Sequence, residues 1–132
     1  MRPGKPVGLY HLKDVPVVTL PGNPFASIVG YYFIVRSMIE AALGARIFGS
    51  SETKAELSTS VSRRREVTEF VPVTLDKPTN SAGPIATVIA RGSSARLSPL
   101  VAADGLALLD GPGAKIAAGA KVPVFDFGAT TA

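Results

Sequence analysis

The chain has 132 residues, 46% of them hydrophobic and 18% charged, with a formal net charge of +4. That size suits one ordinary domain, or one small domain with a further piece, and the apolar share is enough to bury a core, which excludes a disordered tail. The absence of Cys excludes a disulfide scaffold and a thiolate metal site, and His11, the one histidine, excludes a His-rich metal site.

The basic residues do not gather into one long stripe, so nucleic acid is not an expected partner. Residues 1–48 carry five basic and two acidic residues, a net +3, and the remainder carries +1. The longest apolar run, Phe25 to Val35, is closed by Arg36. It is about half of the roughly 20 residues that span a bilayer. No apolar signal core follows the opening Met-Arg-Pro-Gly-Lys-Pro. A soluble, cytoplasmic protein away from membranes is expected.

The opening Arg2-Pro3-Gly4-Lys5-Pro6 cannot be helical, because two prolines and a glycine hold it extended or in a turn. It presents the cations of Arg2 and Lys5 on a stiff loop. Such a pair suits an anionic ligand such as a phosphate, and a solvated basic terminus is the plainer alternative. Tyr10 to Asp14 reads as a loop with His11 exposed and idle. Val15 to Leu20 is β-branched and uncharged and reads as a buried strand. Pro21-Gly22 ends it, Asn23 is a good N-cap, and Pro24 fits the first helical position, where no backbone N–H is missed. The helix is predicted to run to Leu43, with Gly44 as its C-terminal glycine. Its apolar positions, among them Phe25, Val29, Phe33 and Ile39, cover more than one face. Such a helix is packed on both sides or lies at an interface.

A strand, a glycine turn and a helix N-terminus together form a recurrent anion site, since free N–H groups and the helix dipole point at the ligand. A purely structural turn is the alternative. One strand and one helix cannot form a domain alone, so the pair needs a sheet to join.

Gly49-Ser50-Ser51 reads as a hinge, and strands follow it. They are expected at Lys54–Val61, Val67–Leu75, Ile85–Ala90, Gly105–Leu109 and Lys121–Phe127. Pro72 suggests that the second of these is an edge strand or holds a bulge. Ser98 to Asp104 could form a single helical turn. Five short strands at such spacing suggest a small β-barrel or sandwich. Arg63-Arg64-Arg65 could bind phosphate or form a solvated turn. Gly92-Ser93-Ser94 offers hydroxyls and backbone N–H groups between Arg91 and Arg96, an anion cradle in outline.

These motifs occur in one order: Arg-Pro-Gly-Lys-Pro, Leu-Pro-Gly-Asn-Pro opening an apolar helix, Arg-Arg-Glu-Val-Thr-Glu-Phe, Gly-Ser-Ser ahead of Ala-Asp-Gly-Leu, and Ala-Gly-Ala-Lys-Val-Pro-Val. In that order they resemble the C-terminal part of the molybdopterin molybdenumtransferase family (MoeA and the gephyrin E domain) over nearly the whole chain. The resemblance implies an α+β fragment. Residues 1–48 would be the C-terminal strand–helix remnant of an α/β, molybdopterin-binding-like domain, and residues 50–128 a small, mostly β C-terminal barrel of the domain IV type.

The resemblance further implies insertion of molybdate into adenylylated molybdopterin with release of AMP, in a homodimer whose cleft lies between the α/β domain of one subunit and the barrel of the other. Arg2 and Lys5 map to the family's cationic segment. Pro21, Gly22, Asn23 and Pro24 map to the molybdate end of the cleft, and Gly92, Ser93 and Ser94 to the barrel's Gly-Ser-Gly-like segment. Mg2+ is implied as cofactor, its acidic ligands expected upstream of residue 1, with none in this chain. The chain alone is expected to be incomplete and inactive. Three departures stand out: Arg2 replaces a usual Lys, Pro72 replaces a frequent Arg, and Ser94 stands where Gly is usual. The alternative function is a non-catalytic β-barrel module for interaction or dimerisation, suggested by the broadly apolar helix.

Overall fold

A computed structural model describes residues 7–47, 52–63, 67–80, 82–89 and 97–128. The chain begins with an antiparallel ribbon of β1 (Gly8–Leu12) and β2 (Val15–Thr19), turned at Lys13-Asp14 with Lys13 at φ 55°. Tyr10–Leu12 is therefore strand rather than loop. Its backbone groups find ladder partners in β2, and the loop reading had no view of that pairing. The strand expected at Val15–Leu20 forms, but it is not buried: Val15 is 61% and Val17 36% exposed. By register, Tyr10, Leu12, Val15 and Val17 share one face of the ribbon, and Leu9 and Val18 the other. Apolar strand composition marks burial only where another layer covers it.

The helix spans Pro24–Leu43 in three pieces: α1 (Pro24–Gly30), a π turn (Tyr31–Val35) and α2 (Arg36–Leu43). Gly44 ends it at φ 64°, a left-handed conformation that costs glycine little. The full 20 residues are long and apolar enough to cross a membrane by length and composition, a test that the core helix of a soluble protein also passes. The shorter run counted from the sequence stopped at Arg36. That guanidinium lies 4.0 Å over the ring of Tyr32, so it interrupts the apolar surface less than its charge suggests.

After residue 51 the chain closes a five-stranded barrel in the order β3 (Glu52–Leu57), β6 (Ile85–Val88), β5 (Glu69–Asp76), β7 (Gly105–Leu109) and β9 (Lys121–Asp126). The β3–β6 pair is parallel and the rest are antiparallel. Two short strands, β4 (Val61–Ser62) and β8 (Lys115–Ile116), pair beside it, and α3 (Ser98–Val101) is a single turn. The first expected barrel strand thus divides into β3 and β4. The interior holds Ala55, Leu57, Val71, Val73, Ala86, Ala107, Leu109, Val122 and Val124, the alternate positions of each strand.

Pro72 marks neither an edge nor a bulge, since β5 lies between β6 and β7 and pairs with both. The Pro72 carbonyl accepts the Ile89 N–H at 3.1 Å. A strand residue directs its N–H and C=O to the same side, so the missing donor faces β6 beyond the start of their pairing. The β5–β7 ladder keeps its bonds.

A second cluster lies outside the barrel. Phe70, Leu106, Leu108 and Phe125 from the outer faces of β5, β7 and β9 pack with Leu100 and Phe127 against Phe25, Ile28, Val29 and Phe33 of the helix. These three strands are apolar on both faces, which accounts for the unbroken apolar run from Phe70 to Val73. Tyr32 adds a polar tie, its hydroxyl donating to the Asp126 carbonyl at 3.2 Å. The expected hinge at 49–51 and the expected boundary there lie outside the described residues.

Candidate functional site: the Pro21–Pro24 turn

The turn joins the end of the ribbon to the start of the helix, and four of the expected site residues, Pro21, Gly22, Asn23 and Pro24, meet in it. Asn23 is the N-cap, extended at φ −71° and ψ 121°. Its Oδ1 accepts the Phe25 N–H at 3.1 Å and the Ala26 N–H at 3.3 Å, and its carbonyl accepts the Ser27 N–H at 2.9 Å. The first-turn amides are thereby engaged internally. The expectation that free N–H groups of the helix end would face a ligand does not hold for Phe25, Ala26 and Ser27, because the cap that starts the helix uses them.

Ser27 closes the turn from the helix side, its hydroxyl donating to the Pro21 carbonyl. Sequence inspection did not single this residue out. The available signal was a hydroxyl in the first helical turn, one turn away from a proline carbonyl. Gly22 is exposed, and a Cβ added to it would meet nothing within 4 Å. Behind the turn the helix presses closely on the ribbon: a Cβ at Gly30 would lie 2.9 Å from Leu20 Cδ2 and 3.1 Å from Val7 Cγ2. The result is a rigid strand–turn–helix corner with an open outer side at Gly22.

Arg2, Lys5, Gly92, Ser93 and Ser94 lie outside the described residues, as do Arg64 and Arg65. Arg63 is not part of a solvated turn: it is 5% exposed. Its Nη1 donates to the Val67 carbonyl at 3.0 Å and its N–H to the Ala114 carbonyl at 2.7 Å, while Nε and Nη2 are buried without a partner. Among the described residues no group of three or more His, Asp or Glu side chains could hold a metal ion. These residues therefore do not fit Mg2+, and no step here is routed through it.

A small closed barrel thus carries a capped Pro-Gly-Asn-Pro corner on a helix packed against its outer face. Residues 54–127 match the family described as the MoeA C-terminal region, domain IV, and the chain belongs to that family. Over 128 residues it is 32% identical to "Molybdopterin molybdenumtransferase 2" of Mycobacterium tuberculosis, which covers 96% of this chain and 30% of that protein. Among solved structures, the molybdopterin biosynthesis MoeA protein from Pyrococcus horikosii is 30% identical with a TM-score of 0.73, covering 97% of this chain and 30% of the other. A molybdenum cofactor biosynthesis protein from Pyrococcus furiosus is 25% identical with a TM-score of 0.69, covering 93% of this chain and 41% of the other. The chain thus spans about a third of the length of these relatives.

Proposed function

We propose that this chain works in molybdenum cofactor biosynthesis as the C-terminal section of a transferase that inserts molybdate into adenylylated molybdopterin and releases AMP. The observation that carries this reading is the Pro21–Pro24 corner. It is a rigid turn with an exposed Gly22, in a chain similar from end to end to a molybdenumtransferase.

The role of the chain is to bind and orient. The corner offers backbone at a glycine, where an oxyanion can approach without meeting a side chain. Arg2 and Lys5 supply cationic charge for phosphate or molybdate, and Gly92, Ser93 and Ser94 supply small donors from the barrel. AMP leaves by hydrolysis of the phosphoanhydride that joins it to the molybdopterin phosphate, water supplying the oxygen that the cleaved bond gives up, as molybdate is taken up. The working enzyme is a cytoplasmic homodimer, and this chain alone does not turn over.

Calorimetric titration of the chain with adenylylated molybdopterin and with molybdate tests the reading. Binding by the wild type and loss of binding in the Pro21→Ala/Pro24→Ala double variant are expected. Absence of binding by both would remove the site from this chain. A second reading, a barrel module for dimerisation or partner binding, is favoured by one observation: the ribbon exposes Leu9, Tyr10, Leu12 and Val15. An oligomer that buries these residues, in a protein that binds neither ligand, is the outcome it expects.

A further inference from the structure

Arg63 carries a charge that the fold buries and does not neutralise. The residue follows β4, where Val61 and Arg63 are buried and Ser62 between them is exposed, so Arg63 shares the inward side with Val61. Its Nη1 donates to the Val67 carbonyl at 3.0 Å, while Nε and Nη2 have no partner. Nη2 is the terminal nitrogen on the Nε–H side of the guanidinium. The two unpaired nitrogens therefore form one edge, the edge that meets two oxygens of a carboxylate or a phosphate at once. Among the described residues no carboxylate pairs with Arg63; the ion pair there is Lys77–Asp126. A guanidinium stays protonated when buried, so Arg63 cannot shed its charge as a lysine can.

Access follows from the ribbon that holds the residue. β4 and β8 pair through two residues each, apart from the barrel ladder. Val61 anchors this ribbon in the barrel core, with Ile116 packed beside it. One residue beyond the ladder, the Arg63 N–H bonds the Ala114 carbonyl. The ends of so short a ladder open at little cost. Fraying from the Arg63 end uncovers the Nε–Nη2 edge and leaves Val61 in the core. From these observations we infer that Arg63 binds an oxyanion: its Nε–Nη2 edge takes two oxygens of one carboxylate or phosphate, admitted where the β4–β8 ribbon frays. The bound oxyanion neutralises the buried charge and fills both open donors. The inference is independent of the Pro21–Pro24 corner and of the proposed reaction.

The test follows the Arg63 Nε–H resonance in titrations of the chain with sodium phosphate, sodium acetate and sodium chloride matched in ionic strength, beside the variants Arg63→Lys and Arg63→Met. Loss of the signal in both variants assigns it. A saturable shift with phosphate or acetate, absent with chloride, is expected, and the anion that acts gives the class of ligand. The same anion is expected to raise the melting temperature of the wild type and to leave that of Arg63→Met unchanged. Arg63→Lys keeps a charge without the planar edge and should bind at least about tenfold more weakly. An equal shift with chloride would mean an adventitious ion only and would overturn the inference. So would a resonance that none of the anions moves, or an Arg63→Lys variant that binds as tightly as the wild type.

Discussion

The ring of Phe33, in the π turn of the helix, stacks on the ring of Phe70 in β5 with centroids 4.5 Å apart, while Phe125 stands nearly perpendicular to Phe33 with centroids 4.6 Å apart. This contact joins the piece that carries the Pro21–Pro24 corner to the barrel. The π turn places Tyr32 and Phe33 together on the barrel side, one bonding Asp126 and the other stacking on Phe70. Phe33→Ala is expected to destabilise the fold by about 3 kcal/mol, the usual cost of truncating a packed phenylalanine. Chemical denaturation would measure it. Loss of helical circular dichroism before loss of the strand signal would show that the helix detaches first.

Asn23→Ala removes the acceptor for two amides at 3.1 and 3.3 Å. A loss of about 1 kcal/mol is expected, and Asn23→Asp should retain most of it. Equilibrium unfolding of the three proteins side by side separates the cap from a general effect of substitution.

Gly105→Ala should be among the most damaging small changes in the barrel. A Cβ there would lie 2.4 Å from the Phe125 carbonyl oxygen and 3.2 Å from Asp126 Cα. Both obstacles are backbone of the paired strand β9, so relief requires β7 and β9 to move apart. A loss of about 2 kcal/mol or more is expected. A melting temperature equal to the wild type would refute the close approach. By contrast, Gly22→Ala meets nothing within 4 Å and should leave stability within about 0.5 kcal/mol.

Arg63→Met should be neutral or stabilising within about 1 kcal/mol. A buried guanidinium with Nε and Nη2 unpaired carries a desolvation cost that one bond to Val67 does not offset. Arg63→Ala should cost more than Arg63→Met, since it also leaves a void. Denaturation midpoints in the order methionine, arginine, alanine would bear this out.

Lys77→Met should change stability by less than about 0.5 kcal/mol. The Lys77–Asp126 pair spans 3.0 Å, but the lysine side chain is 67% exposed, and such pairs contribute little. Asp126 also keeps the Gly128 N–H. A larger loss at high salt than at low salt would contradict this account.

Local chemistry made much of this protein legible. Pro21-Gly22, Asn23, Pro24 and Gly44 mark the turn, cap and ends of the helix through backbone preferences that act within a few residues. Alternation at Ala55/Leu57, Val71/Val73 and Val122/Val124 marks barrel strands for the same short-range reason. The ordered motifs carry the family resemblance without any reference to the fold. The ribbon was half-missed because Tyr10–Leu12 becomes strand only through pairing with β2. Arg63 was misjudged because three adjacent arginines look solvated until the chain folds around one of them.

The sequence by itself determined where the chain turns, caps and extends, and to which family it belongs. Those features depend on φ and ψ preferences, side chains within one turn, and the identity of short motifs. The tertiary structure alone decided that the barrel closes through β3 and β9, that β5, β7 and β9 are buried on both faces, and that the Pro21–Pro24 corner rides on the barrel through Phe33 and Phe70. Contacts between residues far apart in the chain leave no local mark, because the same phenylalanine serves equally well in a core, at an interface or in a stack.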